Sequence, residues 1–198
     1  MAIKPILFNK EMVRAILDRR KSCTRRIVKH DVEAILNSPY HKEHPEVEDR
    51  QIISRLCQPP YQPGDILYVR ETWCMLPVNE AGHIRGHSVY YYKADGDLRP
   101  EGWRGKWKPS IHMPKEAAHI WLKVTDVRVE RLQEISGEDL IKEGIDLFQS
   151  SYVRVAFDEF KNIWNSTIKK SDLDRYGWDA NPYVWVIEFE RCEKLEGV

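Results

Sequence analysis

Three stretches of this chain carry the period-two alternation of a β-strand, and together they dictate a sheet. Ile66-Leu67-Tyr68-Val69-Arg70-Glu71-Thr72-Trp73 follows the turn signal Gln62-Pro63-Gly64-Asp65 and is rich in the branched and aromatic residues that strands favour. His119–Leu132 places Ile120, Leu122 and Val124 on one face and Trp121, Lys123, Thr125, Val127 and Val129 on the other, with a bend near Asp126 expected to divide it in two. Tyr183–Glu190 alternates aromatic and aliphatic residues and reads as the final strand. A shorter strand, Ser88–Lys93, is closed by the loop Ala94-Asp95-Gly96-Asp97. Few helical segments separate these strands, and not in a repeated βαβ order. The expected class is therefore α+β, a small mixed β-barrel with helices at its ends and long loop insertions.

The helical signals are local. Asn9 is placed to cap a helix whose pairs Met12/Ile16 and Val13/Leu17 form one apolar stripe ending near Asp18–Arg20. The chain then turns through Lys21–Thr24 into Arg25-Arg26-Ile27-Val28. Ser136-Gly137-Glu138-Asp139 has the form of a capping box for a short helix through Lys142, with Gly144 as its stop. Val153, Phe157, Phe160 and Trp164 recur at helical spacing and predict a helix over about 152–166. Residues 29–63 are polar and hold Pro39, Pro45, Pro59, Pro60 and Pro63. They read as an insertion with one short helix at Asp49–Leu56.

Composition removes several function classes. With 42% hydrophobic and 31% charged residues in 198, disorder is excluded. No apolar run approaches the roughly 20 residues of a bilayer span, and the first ten residues are too short of apolar length for an export signal. A cytoplasmic protein is expected, with Cys23, Cys57, Cys74 and Cys192 as free thiols rather than two disulfides. The seven histidines occur singly, so the spacing suggests no metal and no cofactor. Lys+Arg and Asp+Glu balance at 31 each. That balance argues against an extended nucleic-acid footprint and for a compact pocket holding one base or nucleotide. No membrane contact and no obligate protein partner are expected.

Three constellations could carry chemistry. Arg19, Arg20, Lys21, Arg25 and Arg26 place five cations in eight residues. A lysine crowded this way has its charged form disfavoured, so Lys21 could serve as a base for the hydroxyl of Thr24. The alternative is a solvated basic turn. Glu143 lies at the end of the short helix, facing the negative end of its dipole, which suits a proton donor or acceptor; the alternative is an exposed glutamate beside a glycine cap. In Val69-Arg70-Glu71-Thr72-Trp73, a strand would place Arg70 and Thr72 on one face and Glu71 and Trp73 on the other. That segment is either a grip on a nucleobase or a surface strand end with Trp73 in the core.

In their order, Ala15–Arg26, Pro63–Val69, Glu138–Ile145 and Tyr183–Phe189 resemble the ASCH domain family, whose fold is a PUA-like β-barrel. The wording Val69–Trp73, Trp107–Pro114 and Val127–Gln133 is similar to the longer branch common in phages and prophages. The resemblance implies a single ASCH domain over residues 1–198, with looser insertions at about 29–62 and 74–106. One characterised branch is similar to a small bacterial amidohydrolase that removes acetyl from N4-acetylcytidine. Carried onto this sequence, its catalytic positions fall at Lys21, Thr24 and Glu143, and the arginine two after the threonine at Arg26. The implied activity is hydrolysis of an acyl group from a modified pyrimidine nucleoside. Arg26, Arg70, Glu71 and Trp73 are the candidate substrate-binding residues. The alternative implied by other family members is a module binding RNA or single-stranded nucleic acid, with ribonuclease activity as a variant of that reading.

Overall fold

The computed structural model describes residues 1–76, 89–99, 105–145 and 153–194. Five strands make one sheet: β1 (Ile3–Leu7), β2 (Cys23–Ile27), β3 (Ile66–Arg70), β6 (Trp121–Arg131) and β7 (Tyr183–Cys192), in the order β1-β3-β6-β7-β2. β1 runs parallel to β3, and every other pairing is antiparallel. The second sheet is the two-stranded ribbon of β4 (Trp73–Leu76) and β5 (Val89–Tyr92). The expected mixed α and β content is present, but the barrel is not closed among the described residues. β1 and β2 are the two edges of the main sheet. Their ends are spanned by a side chain: Arg26 Nη2 donates to the Leu7 carbonyl at 3.1 Å.

β7 is apolar from Tyr183 to Ile187, where both of its faces are covered; beyond it Glu188, Glu190 and Arg191 are not fully buried. Tyr183, Trp185, Ile187 and Phe189 pack inward with Ile6, Phe8, Leu67 and Leu122. Val184 and Val186 face outward onto α5 (Gly137–Lys142) and α6 (Val153–Ser166), against Leu140, Phe160 and Trp164. Full burial of each such side chain contributes about 1.5–3 kcal/mol.

β6 departs from its expected pattern for a physical reason. It is one strand, not two, and its register against β7 slips between Val124 and Asp126. Thr125 is the extra residue of a β-bulge, which reverses the inside-outside phase beyond it. Val127 and Val129 therefore join Leu122 and Val124 in the inner core instead of facing away from them. The expected strand over 66–73 also breaks, after Arg70. Thr72 accepts the Lys93 N–H at 2.9 Å and Trp73 pairs with Lys108, which turns the chain into the second sheet. The residues around 77–88 and 100–104 of the second insertion lie outside the described ones.

The caps hold as expected. Asn9 accepts the Met12 N–H at 2.8 Å ahead of α1 (Lys10–Leu17), and Ser136 and Asp139 form the reciprocal capping box of α5. The 29–63 insertion is more ordered than its prolines suggest. It holds α2 (Val32–Leu36) and α3 (Pro39–Glu43) as well as α4 (Asp49–Leu56), with Pro39 at the first turn of α3, where a missing N–H does no harm. The last helix, α7, is Leu173–Tyr176. No helix among the described residues is long and apolar enough to cross a membrane, and all four cysteines are free.

Asp65 ties the start of β1 to the turn before β3. It accepts from the Ala2 N–H at 2.8 Å, the Gln62 N–H at 3.1 Å and Lys4 Nζ at 2.8 Å. Burial alone would raise its pKa, but Lys4 and the two N–H groups outweigh it and hold the carboxyl below its usual range. The folded state thus binds this proton less readily than the unfolded chain, so the stabilisation is present above the ordinary carboxylate range and is lost as pH falls through the lower folded value. Asp65→Asn is expected to destabilise by about 1–3 kcal/mol at pH 7. The difference from wild type should shrink below about pH 4 in urea titrations.

Candidate functional site

The basic turn and the end of α5 meet. After α1, Arg19 adopts a left-handed φ of 61°, and the N–H groups of Arg20 and Lys21 both donate to the Ala15 carbonyl, at 2.8 and 3.0 Å. This reverses the chain and drives Lys21 inward. Lys21 pairs with Glu143 as an isolated antiparallel bridge, and the Ser22 N–H donates to the Lys142 carbonyl at 2.8 Å. Gly144, at φ 94°, lets the chain leave α5 against the Ala15 and Lys21 side chains.

The result is a buried ion pair. Lys21 Nζ donates to Glu143 Oε2 at 2.6 Å and to the Glu143 carbonyl at 2.9 Å, with the two side chains 0% and 6% exposed. Arg25 Nη1 holds the other oxygen, Oε1, at 3.1 Å. Arg25 also faces Glu130 and Asp139, both at 3.4 Å. Arg128 bonds Glu130 and Glu188 at 2.6 and 2.7 Å beside them. For Asp139, burial raises the pKa, but the Ser136 N–H and hydroxyl, then Arg25 and Arg128, outweigh it and hold the carboxyl low.

This corrects the crowding expected from the sequence. The cations of the turn do not surround Lys21: Arg20 reaches Asp18, Arg25 faces three carboxylates, and Lys21 sits on Glu143. Glu143 in turn is buried between two cations and is not an exposed end-of-helix glutamate.

Three adjoining cavities form a trough that meets this pair at Glu143; Lys21 lines none of the three. One of about 350 Å³ lies against Glu143 between α1 and α6, walled by Asn9, Met12, Phe160 and Ile163. The next, about 480 Å³, shares Asn9 and Met12 with it and is lined by Phe8, Arg26 and Tyr61. The third, about 490 Å³, shares Arg26 and Tyr61 and reaches Trp164, Trp185 and Lys29. Lys21 Nζ and the Arg26 guanidinium both lie over the Phe8 ring, 5.7 and 5.5 Å from its centroid. Burial pulls the Arg26 pKa below the ordinary guanidinium value, with Tyr61 and Glu143 opposing it.

Thr24 is 1% exposed and shares the inner face of β2 with Arg26. It lines none of the three cavities and is not a hydrogen-bond partner of Lys21 among the described residues. Cys23 beside it is no substitute nucleophile: burial first, then Glu143, pushes its thiol up to about 12.

The expected grip at 70–73 forms elsewhere. Arg70 lies over the Tyr68 ring and donates to the Ile111 carbonyl at 3.3 Å. Glu71 is buried and bonded through Oε1 to His119 Nε2 at 2.8 Å, and His119 stacks on Tyr92 at 3.7 Å. Trp73 packs with Met113 and Trp121 in a separate core under the second sheet. None of the three lines the trough, so of the candidate binding residues only Arg26 reaches it. Sequence reading missed Phe8, Tyr61, Trp164 and Trp185; the two tryptophans sit in core periodicities and carry no separate signal.

The fold and site thus define an open mixed sheet with a buried Lys–Glu pair that meets a basic, aromatic trough at Glu143. No family model matches this sequence, and no curated protein matches it. Among solved structures, the crystal structure of an ASCH domain from Lactobacillus crispatus is similar over 96% of this chain and 79% of that chain, with 11% identity and a TM-score of 0.39. A likeness this distant assigns neither family nor function.

Proposed function

We propose that the protein is a single-domain member of the ASCH family, of PUA-like descent and the phage or prophage type, that hydrolyses the acyl group from an N4-acylated cytidine. The observation that carries this reading is the 2.6 Å contact between Lys21 Nζ and Glu143 Oε2, with Glu143 lining the 350 Å³ end of the trough. A proton passed from Nζ to Oε2 leaves an amine beside a carboxylic acid, the two groups that amide cleavage needs. The amine takes the Thr24 hydroxyl proton as Oγ1 attacks the acyl carbon, a step that requires β2 to shift so that Thr24, buried outside the three cavities, reaches the trough. Arg26 faces the oxyanion that forms. Glu143 then protonates the departing N4 as the C–N bond breaks, which restores the ion pair and leaves the acyl group on Thr24 as an ester. A second cycle with water in place of the threonine hydroxyl releases the carboxylic acid.

Thr24→Val keeps the shape of the side chain and removes the hydroxyl. It is expected to lower acetate release from N4-acetylcytidine by at least about a hundredfold, while Thr24→Ser retains turnover. Mass spectrometry of the wild type quenched during turnover should find one acetyl group on the Thr24 peptide. Wild-type protein inactive on a panel of N4-acylated nucleosides would remove the reading.

A second reading is favoured by the third cavity, where Arg26 and Lys29 stand beside Trp164, Trp185 and Tyr61. Cations next to aromatic faces suit a single-stranded nucleic acid, bound or cut. Salt-sensitive retention of labelled RNA, weakened by Lys29→Ala, is its signature.

A further inference from the structure

The trough carries opposite charge at its two ends. The 350 Å³ cavity that meets Glu143 is lined by two further carboxylates, Glu11 and Glu159. Arg20 also lines it, but its guanidinium is turned to Asp18 and to the Gly144 carbonyl, at 3.1 and 2.7 Å. The 490 Å³ cavity at the far end is lined by Arg25, Arg26, Lys29 and His30 and, among the described residues, by no carboxylate. Arg25 is held by Glu143, Glu130 and Asp139, and Arg26 lies over Phe8 where the middle cavity begins. Lys29 and His30 differ from both. They follow the end of β2, which the Val28 N–H ties to the Tyr183 carbonyl at 3.1 Å. Both are exposed, and neither forms an ion pair among the described residues. The carboxylate next to them in the chain, Asp31, is engaged as the cap of α2, accepting the Ala34 N–H at 3.1 Å.

We infer that Lys29 and His30 form a phosphate subsite, so that the acylated cytidine taken by this trough carries a phosphate, as a nucleotide or within a strand. The inference rests on the hydrolase reading for its choice of base and deepens it by naming the charge of the substrate. Each cavity alone has the volume of a small-molecule pocket, roughly 300–1,000 Å³, so a nucleoside with its N4 at Glu143 leaves the third one unfilled. The acyl group and N4 are neutral and can lie beside the carboxylates of the first cavity. A phosphate is repelled there and attracted at the far end. The sugar then crosses the middle cavity between Phe8 and Tyr61. Lys29 offers a compact charge with three donors, and the His30 ring adds an N–H.

The test compares kcat/KM for N4-acetylcytidine, its 5′- and 3′-monophosphates, and a trinucleotide with N4-acetylcytidine at its centre, all at low salt. At least one phosphorylated form should exceed the nucleoside by about tenfold, a gain that shrinks as salt is added. A gain in a monophosphate identifies a terminal phosphate as sufficient; a gain confined to the trinucleotide identifies a linking one. Lys29→Glu reverses the charge at an exposed position and should bring the ratio of phosphorylated substrate to nucleoside to one or below. Equal kcat/KM for all four substrates, or a preference that Lys29→Glu leaves intact, overturns the inference while the hydrolase reading stands. If none of the four is cleaved, the hydrolase reading falls, and titration of the ¹⁵N-labelled full chain with cytidine, its two monophosphates and an unmodified trinucleotide decides the subsite. Tighter binding of a phosphorylated form, lost in Lys29→Glu, supports it, and equal binding of all four overturns it.

Discussion

Replacing Glu143 with alanine is expected to destabilise the protein by roughly 3–5 kcal/mol, the loss seen when one member of a buried ion pair is removed. Two cations depend on that carboxylate. Among the described residues, Lys21, with a fully buried side chain, keeps only the Glu143 carbonyl, and Arg25 keeps only the longer contacts to Glu130 and Asp139. Urea denaturation should show a lower midpoint with little change in slope. The double variant Lys21→Met with Glu143→Leu should recover much of the loss, since it removes the stranded charge together with its partner. On the hydrolase reading it should be inactive all the same, which separates the structural role of the pair from the proton transfer proposed for it. A loss below about 1 kcal/mol in Glu143→Ala, the range of exposed pairs, would mean that Lys21 finds water or another partner and that the pair is not buried in solution.

Gly144→Ala is expected to cost about 2–4 kcal/mol, from two sources that add at one atom. The φ of 94° is one that a side chain opposes, and the new Cβ would lie 2.8 Å from Ala15 Cβ and 3.1 Å from Lys21 Cβ. Neither neighbour is the free end of a flexible chain, so the backbone itself must shift, and Glu143 shifts with it. On the hydrolase reading, turnover should fall further than stability alone explains, because the Lys21–Glu143 contact lengthens. Gly144→Asn discriminates between the sources. Asparagine tolerates the left-handed region but still carries a Cβ, so it should remain destabilised if the close approach dominates. Thermal unfolding of both variants, read beside acetate release, gives the answer.

Much of the architecture was legible because it is written locally. The Asn9 and Ser136 caps, the alternation of β7 and the α6 period each depend on residues a few positions apart, and each element formed where its pattern lay. The phase of β6 was not legible, because the Thr125 bulge is set by pairing with β7 and leaves no mark in the alternation itself. The break after Arg70 likewise depends on Lys93 and Lys108, both distant in sequence. At the site, the meeting of Lys21 with Glu143 followed from the resemblance, not from spacing. The residues alone suggested a crowd of like charges, whereas the fold brings Glu130 of β6, Asp139 of α5 and Glu143 at the end of α5 to that crowd and neutralises it. The grip at 70–73 failed for the same kind of reason, since His119 and Met113 draw Glu71 and Trp73 beneath the other sheet.

The amine at Lys21 and the carboxylate that holds it stand 122 positions apart, joined by no shared helix or hairpin. During synthesis the first of them leaves the ribosome long before the second exists, and it must wait in water until α5 docks. A nascent or truncated chain that lacks α5 therefore lacks the pair, and the buried amine has its carboxylate only once both segments have folded together.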